Sequence, residues 1–367
     1  MQPKGREFEP RTLHSFLHGS HLLPHLCGAV ALADSLATTA PAFDVDSPAY
    51  VAIRAVMYLS ALTVIGACAF VLLIATRVAH LSGSYLEVSA VVPATRRLAR
   101  WATVVLAFAM LARLLAQGFM LGEGETVILV PLLTDSIWGW GWLAGAGATL
   151  VIAGALIVKS GRRKTWRVAA VGTMVLALSF SITGHAVAVH SNLVVRVLFD
   201  AIHVMAAGGW LGTLFIVSTI GLRTVLMLPI EKRGHAAAEL INAFSTFALT
   251  CVATLLVTGL FAAWSELPTV SALWQTSYGS ALYRKLVFIG FTGLVGIYNW
   301  RFVKPRLTNP ATISTLRKSA AVELTIGLVV VALTAILVGT SPPDTDDAPP
   351  ATAHHVISNA TSAARRA

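Results

Sequence analysis

Eight apolar segments, at approximately 50–76, 98–120, 137–158, 166–189, 194–221, 239–264, 283–303 and 317–340, constrain the fold of this chain more than any other feature. Each has the roughly 20 residues that a helix needs to cross a bilayer. A soluble core in a chain of 367 residues has no use for so many. The composition agrees, with 56% hydrophobic and 12% charged residues. Strand-like alternation is absent, and inside hydrocarbon only helices and closed barrels satisfy every backbone polar group. The sequence therefore predicts an all-α fold: a polytopic membrane helical bundle of about eight transmembrane helices, with the lipid bilayer as its main partner.

The net charge of +10 would suggest nucleic acid in a soluble chain. Here the basic residues sit between the apolar segments, so no nucleic-acid partner is expected. The linkers after segments one, three, five and seven carry Arg77/Arg96/Arg97/Arg100, Lys159/Arg162/Arg163/Lys164/Arg167, Arg223/Lys232/Arg233 and Arg301/Lys304/Arg306/Arg317/Lys318, which is 17 of the 27 basic residues. The alternate linkers 121–137, 190–193 and 264–283 carry none. An excess of Lys and Arg marks cytoplasmic loops, so both termini are expected outside. Residues 1–48 read as a polar leader with His14, His18, His21 and His25 on one helical face, either metal-collecting or inert. Residues 49–341 form the membrane domain, and 342–367 an acidic, proline-rich, disordered external tail. Trp138, Trp140, Trp142, Trp264 and Trp274 suit an interfacial aromatic belt. Cys27, Cys68 and Cys251 are far apart and form no metal or disulfide motif. No repeat is visible.

Ionisable groups concentrate in Gly184–Gly212, GHAVAVHSNLVVRVLFDAIHVMAAGGWLG. At 1.5 Å per residue, His185 lies about 7 Å inside the outer end of segment four, and Asp200 and His203 about 10 and 15 Å into segment five. Asp200 and His203 are three apart and share a face, which Trp210 continues. His190 is about 140° from His185 and suits the mouth of the site; Met205 points about 200° away from His203 and suits packing. A carboxylate and imidazoles within a membrane span are costly unless they serve a cation, a partner or a proton path. Imidazole suits copper. The expected metal ligands are His185, Asp200 and His203, with Asp200 supplying charge or orienting an imidazole. Ser179, Ser181 and Thr183 offer a polar path or bond back to their own helix, and Glu323 in segment eight is a proton or cation relay on the inner side or a partner for a buried Arg or Lys. Arg54, Arg113, Arg284 and Lys285 are expected to snorkel from outer ends, and Tyr50, Tyr278 and Tyr283 to sit at the interface. The small residues from Ala206 to Gly212 suit close helix packing.

Over about residues 50 to 343 the sequence resembles the copper resistance protein D (CopD) family of bacterial inner-membrane proteins. The motifs that carry the resemblance are GHAVAVH followed by LFDAIHVMAAGGWLGTL, then FSTFALTCVATLLVTGL, SYGSALYRKLVFIGFTGLVGIYNWRFVKPRL and LRKSAAVELTIGLVVVALTAILVGTSPP. His185, Asp200, His203, Trp210, Tyr278, Gly279, Lys285, Asn299 and Glu323 match the family pattern. The resemblance implies an eight-helix protein of the inner membrane that imports copper ion from the periplasm, with a role in resistance. Because no copper-binding sandwich domain accompanies the helices, it also implies either a separate periplasmic copper-binding protein as donor or direct uptake of the ion. No enzymatic chemistry is expected, and no ATP motif is present, so transport would be passive or coupled to an ion gradient. Two other readings compete: a membrane cytochrome with haem between two histidines, and a copper-binding sensor without flux.

Overall fold

The structure, a computed structural model, describes residues 47–80, 88–121, 129–158, 163–184, 192–267, 269–307 and 312–340. The leader up to residue 46, the tail from residue 341, His185 and His190 lie outside the described residues. Among the described residues, eight helices are long and apolar enough to cross a membrane: α1 (Pro48–Ala79), α2 (Ala90–Leu121), α3 (Ile137–Ile157), α4 (Arg163–Ile182), α5 (Leu193–Leu226), α6 (Ile230–Glu266), α7 (Ser277–Arg306) and α8 (Thr312–Leu337). The all-α membrane bundle expected from the sequence is the observed fold. Several helices outrun the apolar segments. α6 starts nine residues earlier, through Glu231, Lys232 and Arg233, and α8 five residues earlier. Hydropathy marks the stretch in hydrocarbon, whereas charged residues with good helix propensity carry the backbone beyond it.

Local chemistry sets several helix starts. Ser47 accepts from the Tyr50 amide at 3.3 Å, with Pro48 in the first turn of α1. Ser136 accepts from the Gly139 amide at 2.9 Å and Thr276 from the Gly279 amide at 3.0 Å, opening α3 and α7. At the end of α3, Arg96 donates to the Val158 carbonyl at 2.5 Å and Arg100 to the Leu156 carbonyl at 2.8 Å. Two basic residues assigned from sequence to the linker after segment one thus close the carboxyl end of a helix, where carbonyls lack partners and positive charge is favoured.

α1 is the centre of the bundle. Its most apolar window is 67% buried, against 11% for α7, and it packs on α2, α4, α5 and α8. The closest approach is the crossing of α1 and α5. A Cβ on Gly66 would overlap the backbone of Gly212, one on Gly212 would overlap the Leu62 carbonyl, and one on Gly208 would overlap Ile65. The small residues of α5 therefore serve packing, as small residues do between membrane helices.

The two halves α1–α4 and α5–α8 repeat one plan. Within each, the first helix packs on the second and the third on the fourth; across halves, α4 lies on α5 and α8 lies on α1. α3 and α7 are both entered from a short helix, Leu129–Thr134 and Ala272–Gln275. Both have a hydroxyl cap three residues before a glycine, Gly139 or Gly279, whose Cβ would overlap the carbonyl of the residue seven positions earlier, Leu132 or Ala272. The reciprocal Gly66 and Gly212 contact lies between the halves, the arrangement of parallel repeats about an axis along the helices.

Several expected surface residues are interior. Arg54 is 1% exposed, with its guanidinium over the Tyr50 ring at 4.7 Å, and Arg113 is 6% exposed. Tyr50 donates to Gln117 Oε1 at 2.7 Å and Tyr278 is buried. Trp142 donates to the Met110 carbonyl at 3.1 Å. Position near a helix end does not fix which face a residue occupies, and these residues face neighbouring helices. Trp140, Trp264, Trp274 and Tyr283 are exposed, and Arg284 is exposed with a bond to the Ser280 carbonyl.

The glycines allow a paired test. Gly212→Ala puts a methyl against backbone that cannot move aside, and overpacking of this kind costs about 1–3 kcal/mol. Gly293→Ala meets nothing within 4 Å, so improved helix propensity leaves that variant at or above wild-type stability. Thermal unfolding in detergent of the two variants checks the contrast.

Candidate metal-ion site

α5 begins at Asn192, which holds a left-handed conformation at φ 57°. Asparagine is enriched there among residues with a side chain. One turn on, Arg196 forms an ion pair with Glu266 at the end of α6 and donates to the Ser265 carbonyl at 3.3 Å. This clamp ties the start of α5 to the end of α6, fixing the helix that carries Asp200 and His203.

His203 is half-buried against α6. Its Nδ1 lies 2.8 Å from Thr258 Oγ1, and a Cβ on Gly259 would sit 3.6 Å from its Cε1. The Thr258 hydroxyl donates to the Thr254 carbonyl at 2.7 Å. With its one proton so used, Thr258 accepts from His203 Nδ1–H. The neutral imidazole therefore keeps its lone pair on Nε2, the nitrogen left to bind a metal. A hydrogen bond on the other ring nitrogen is the usual way a protein orients a histidine ligand. The hydroxyl beside His203 Nδ1 is that of Thr258.

Asp200, one turn away on the same face, is exposed. It lies near Ser181 of α4, whose hydroxyl donates to the Ala177 carbonyl at 3.1 Å, and within electrostatic range of Lys285 and Tyr278 of α7, Glu266 of α6 and Tyr58 of α1. The Lys285 charge acts on His203 as well. Lys285 lies eight residues into α7, about 12 Å, and Asp200 seven residues into α5, about 10 Å. Both helices run the same way, so the two charges share a depth, at a separation longer than a direct ion pair. Lys285 turns inward to the site instead of snorkelling.

The polar residues at the end of α4 divide their tasks. Ser181 bonds back to the Ala177 carbonyl beside Asp200; Ser179 faces Gly145 of α3, whose Cβ would overlap its hydroxyl. Thr183 receives Arg113, which donates to its hydroxyl at 3.0 Å and its carbonyl at 2.8 Å and stacks over Trp138 at 5.6 Å. That clamp fixes the chain two residues before His185. Trp210 sits in a π turn, Gly208–Gly212, and packs with Tyr58 and Leu324 against the cluster of Leu62, Leu211 and Val331. Glu323 is buried eleven residues into α8, farther in than the six that hydropathy suggests, and accepts from Asn299 Nδ2 at 2.8 Å.

Of the residues expected at the site, Asp200 and His203 share one face of α5, and Trp210 and Glu323 lie deeper in their helices. Among the described residues no three of His, Cys, Asp and Glu gather as a metal cluster. Sequence reasoning missed Thr258, Arg196 and Glu266, whose roles are set across helices. Lys285 carried a readable signal, because a lysine two turns into a span is costly unless it faces the interior.

Two family models match the chain: "Copper resistance protein D-like, N-terminal domain" over residues 44–193 and "Copper resistance protein D" over residues 238–337, together more than half of it. The first takes in α1–α4, the first repeat, and the second most of α6–α8. The copper transport protein CutJ of Bacillus subtilis (strain 168) is 28% identical over 173 residues. That match covers 46% of this chain and 30% of CutJ, so the chain spans less than a third of that relative. No solved structure matches. Matched in both of its structural halves, the chain belongs to the copper resistance protein D family.

Proposed function

We propose that this protein carries copper ions across the bacterial inner membrane, importing them from the periplasm, with a role in copper homeostasis and resistance. The observation that carries the reading is the pairing of Asp200 with His203, whose Nε2 is left free by the bond to Thr258. A nitrogen donor of this kind suits copper, and an adjacent carboxylate offsets the charge of an arriving cation. In this reading His185 is a third ligand, supplied from the segment that Arg113 anchors through Thr183. His190 stands at the mouth, and Trp210 and Glu323 lie along the inward route. The basic linkers put both termini outside, where a separate periplasmic protein delivers the ion to the membrane domain, residues 49–341.

Copper uptake into proteoliposomes holding the purified protein tests the reading. Uptake above empty vesicles, reduced in His203→Ala at equal protein content, is the expected result. Binding without uptake would favour the sensor reading, and a haem Soret band in the purified protein the cytochrome.

Lys285 works as a fixed competitor for Asp200. At an effective dielectric of about 20, a unit charge even twice as far off as a roughly 4 Å ion pair is worth about 2 kcal/mol, or roughly thirtyfold in affinity. Lys285→Met is accordingly expected to tighten copper binding by about that factor. A titration against a competing chelator measures it, and unchanged or weaker binding would remove Lys285 from this role.

A further inference from the structure

Apart from the α5 site, Glu323 of α8 is buried beside Asn299 of α7. Asn299 opens a π turn, Asn299–Val303, and its Nδ2 donates to Glu323 Oε1 at 2.8 Å. The other end of the amide is the anomaly. Asn299 Oδ1 is buried and has no hydrogen-bond partner among the described residues. Native proteins leave few such acceptors unmatched, and each calls for an explanation.

An ionised carboxylate supplies no donor; a carboxylic acid does. If Glu323 carries a proton on Oε2, its O–H points back to Asn299 Oδ1 while Oε1 accepts from Nδ2. Amide and acid then form a two-bond pair that leaves no polar atom open. Turning the amide over leads to the same place, because Oδ1 would then meet a Glu323 oxygen, a contact that also needs a proton between them.

The surroundings supply no alternative counter-charge. Around Glu323, α8 packs against α1, α5 and α7. Their charged and titratable groups include Arg54 and Arg77 on α1, Asp200, His203 and Arg223 on α5, and Lys285, Arg301, Lys304 and Arg306 on α7; α8 itself has Arg317 and Lys318. None of these acts on Glu323, on which burial and the Asn299 bond are the influences.

The site is also separate from the copper ligands. Leu211 lies eight residues beyond His203, about 12 Å. It meets Gly327, where a Cβ would overlap it, and Glu323 lies four residues, about 6 Å, farther toward the start of α8. About 18 Å along the bundle thus separates the two sites, and the apolar cluster of Leu62, Leu211 and Val331 lies between them.

We propose that Glu323 and Asn299 form a proton-binding station: Glu323 takes a proton from water, holds it in the two-bond pair with Asn299, and returns it to water. The station rests on this geometry alone. Its use as the coupling proton of copper movement rests on the transport reading.

Infrared spectroscopy of the full chain in lipid, without copper, tests it across a pH series. The carbonyl stretch of a buried carboxylic acid is expected in the wild type and absent from Glu323→Gln. If the two spectra match in that region at every pH, Glu323 stays ionised and the station is overturned. Thermal unfolding gives a second reading. Glutamine imitates the acid, its amide donating to Asn299 Oδ1, so Glu323→Gln keeps the wild-type melting temperature while Glu323→Leu lowers it. Equal loss in both variants would overturn the two-bond pair. In proteoliposomes, a pH gradient should change wild-type copper uptake several-fold and leave Glu323→Gln unresponsive; a variant that responds like wild type would overturn the coupling. An acid band in a protein that moves no copper would sustain the station and reject the transport reading.

Discussion

His203→Ala is expected to weaken copper binding by more than the roughly 10–100-fold typical of losing an outer-shell partner, and to abolish uptake with it. The substitution removes the Nε2 donor and nothing else of weight. Thr258, left behind, still donates to the Thr254 carbonyl, so no buried donor is orphaned. The ring is half-buried and rests on Gly259, so its loss costs on the order of 1 kcal/mol of stability. Affinity and folding therefore separate: a chelator titration should show the loss while the melting temperature hardly moves. Thr258→Val frees the imidazole to take either tautomer and should cost about 10–100-fold. Copper affinity unchanged in His203→Ala would remove His203 from the site.

The eight spans were legible because hydrocarbon imposes one requirement, about 20 apolar residues per crossing. Which helix lies at the centre was not. α1 and α7 are both apolar, yet one is largely buried and the other largely not. In a bilayer the lipid-facing and the packed faces are equally apolar, so hydropathy carries no signal of orientation around the helix axis. Asp200 and His203 stood out for the opposite reason, as ionisable groups where such groups are expensive. By the same rule Arg54, Arg113 and Lys285 deserved an interior reading; closeness to a helix end pointed to the interface, and the structure turns all three toward neighbours. The partners Thr258, Glu266 and Asn299 are legible only in the fold, because each meets its counterpart from 24 or more positions away. The repeat was hidden because its halves share caps, short helices and a glycine crossing, and little sequence.

The clamp between Arg196 and Glu266 carries the largest expected stability effect. Their side chains are 8% and 12% exposed, so water screens the pair weakly and removing one partner strands the other. Breaking a buried ion pair in this way costs about 3–5 kcal/mol. Arg196→Ala should lower the melting temperature by roughly 3–5 °C, taking about 3 kcal/mol and a chain of this size. Glu266→Ala should do the same, and also leave an uncompensated cation near Asp200, whose charge reaches Glu266. The double variant Arg196→Met/Glu266→Leu removes both charges and keeps apolar volume, so it should recover most of the loss, since matched apolar replacements of buried pairs are often neutral or better. Recovery in the double variant, together with near-normal copper binding, would identify the pair as the brace that holds α5 against α6. If either single variant melts with the wild type, α5 is held by the Gly66 and Gly212 crossing instead, and the ion pair serves the field at Asp200 rather than the fold.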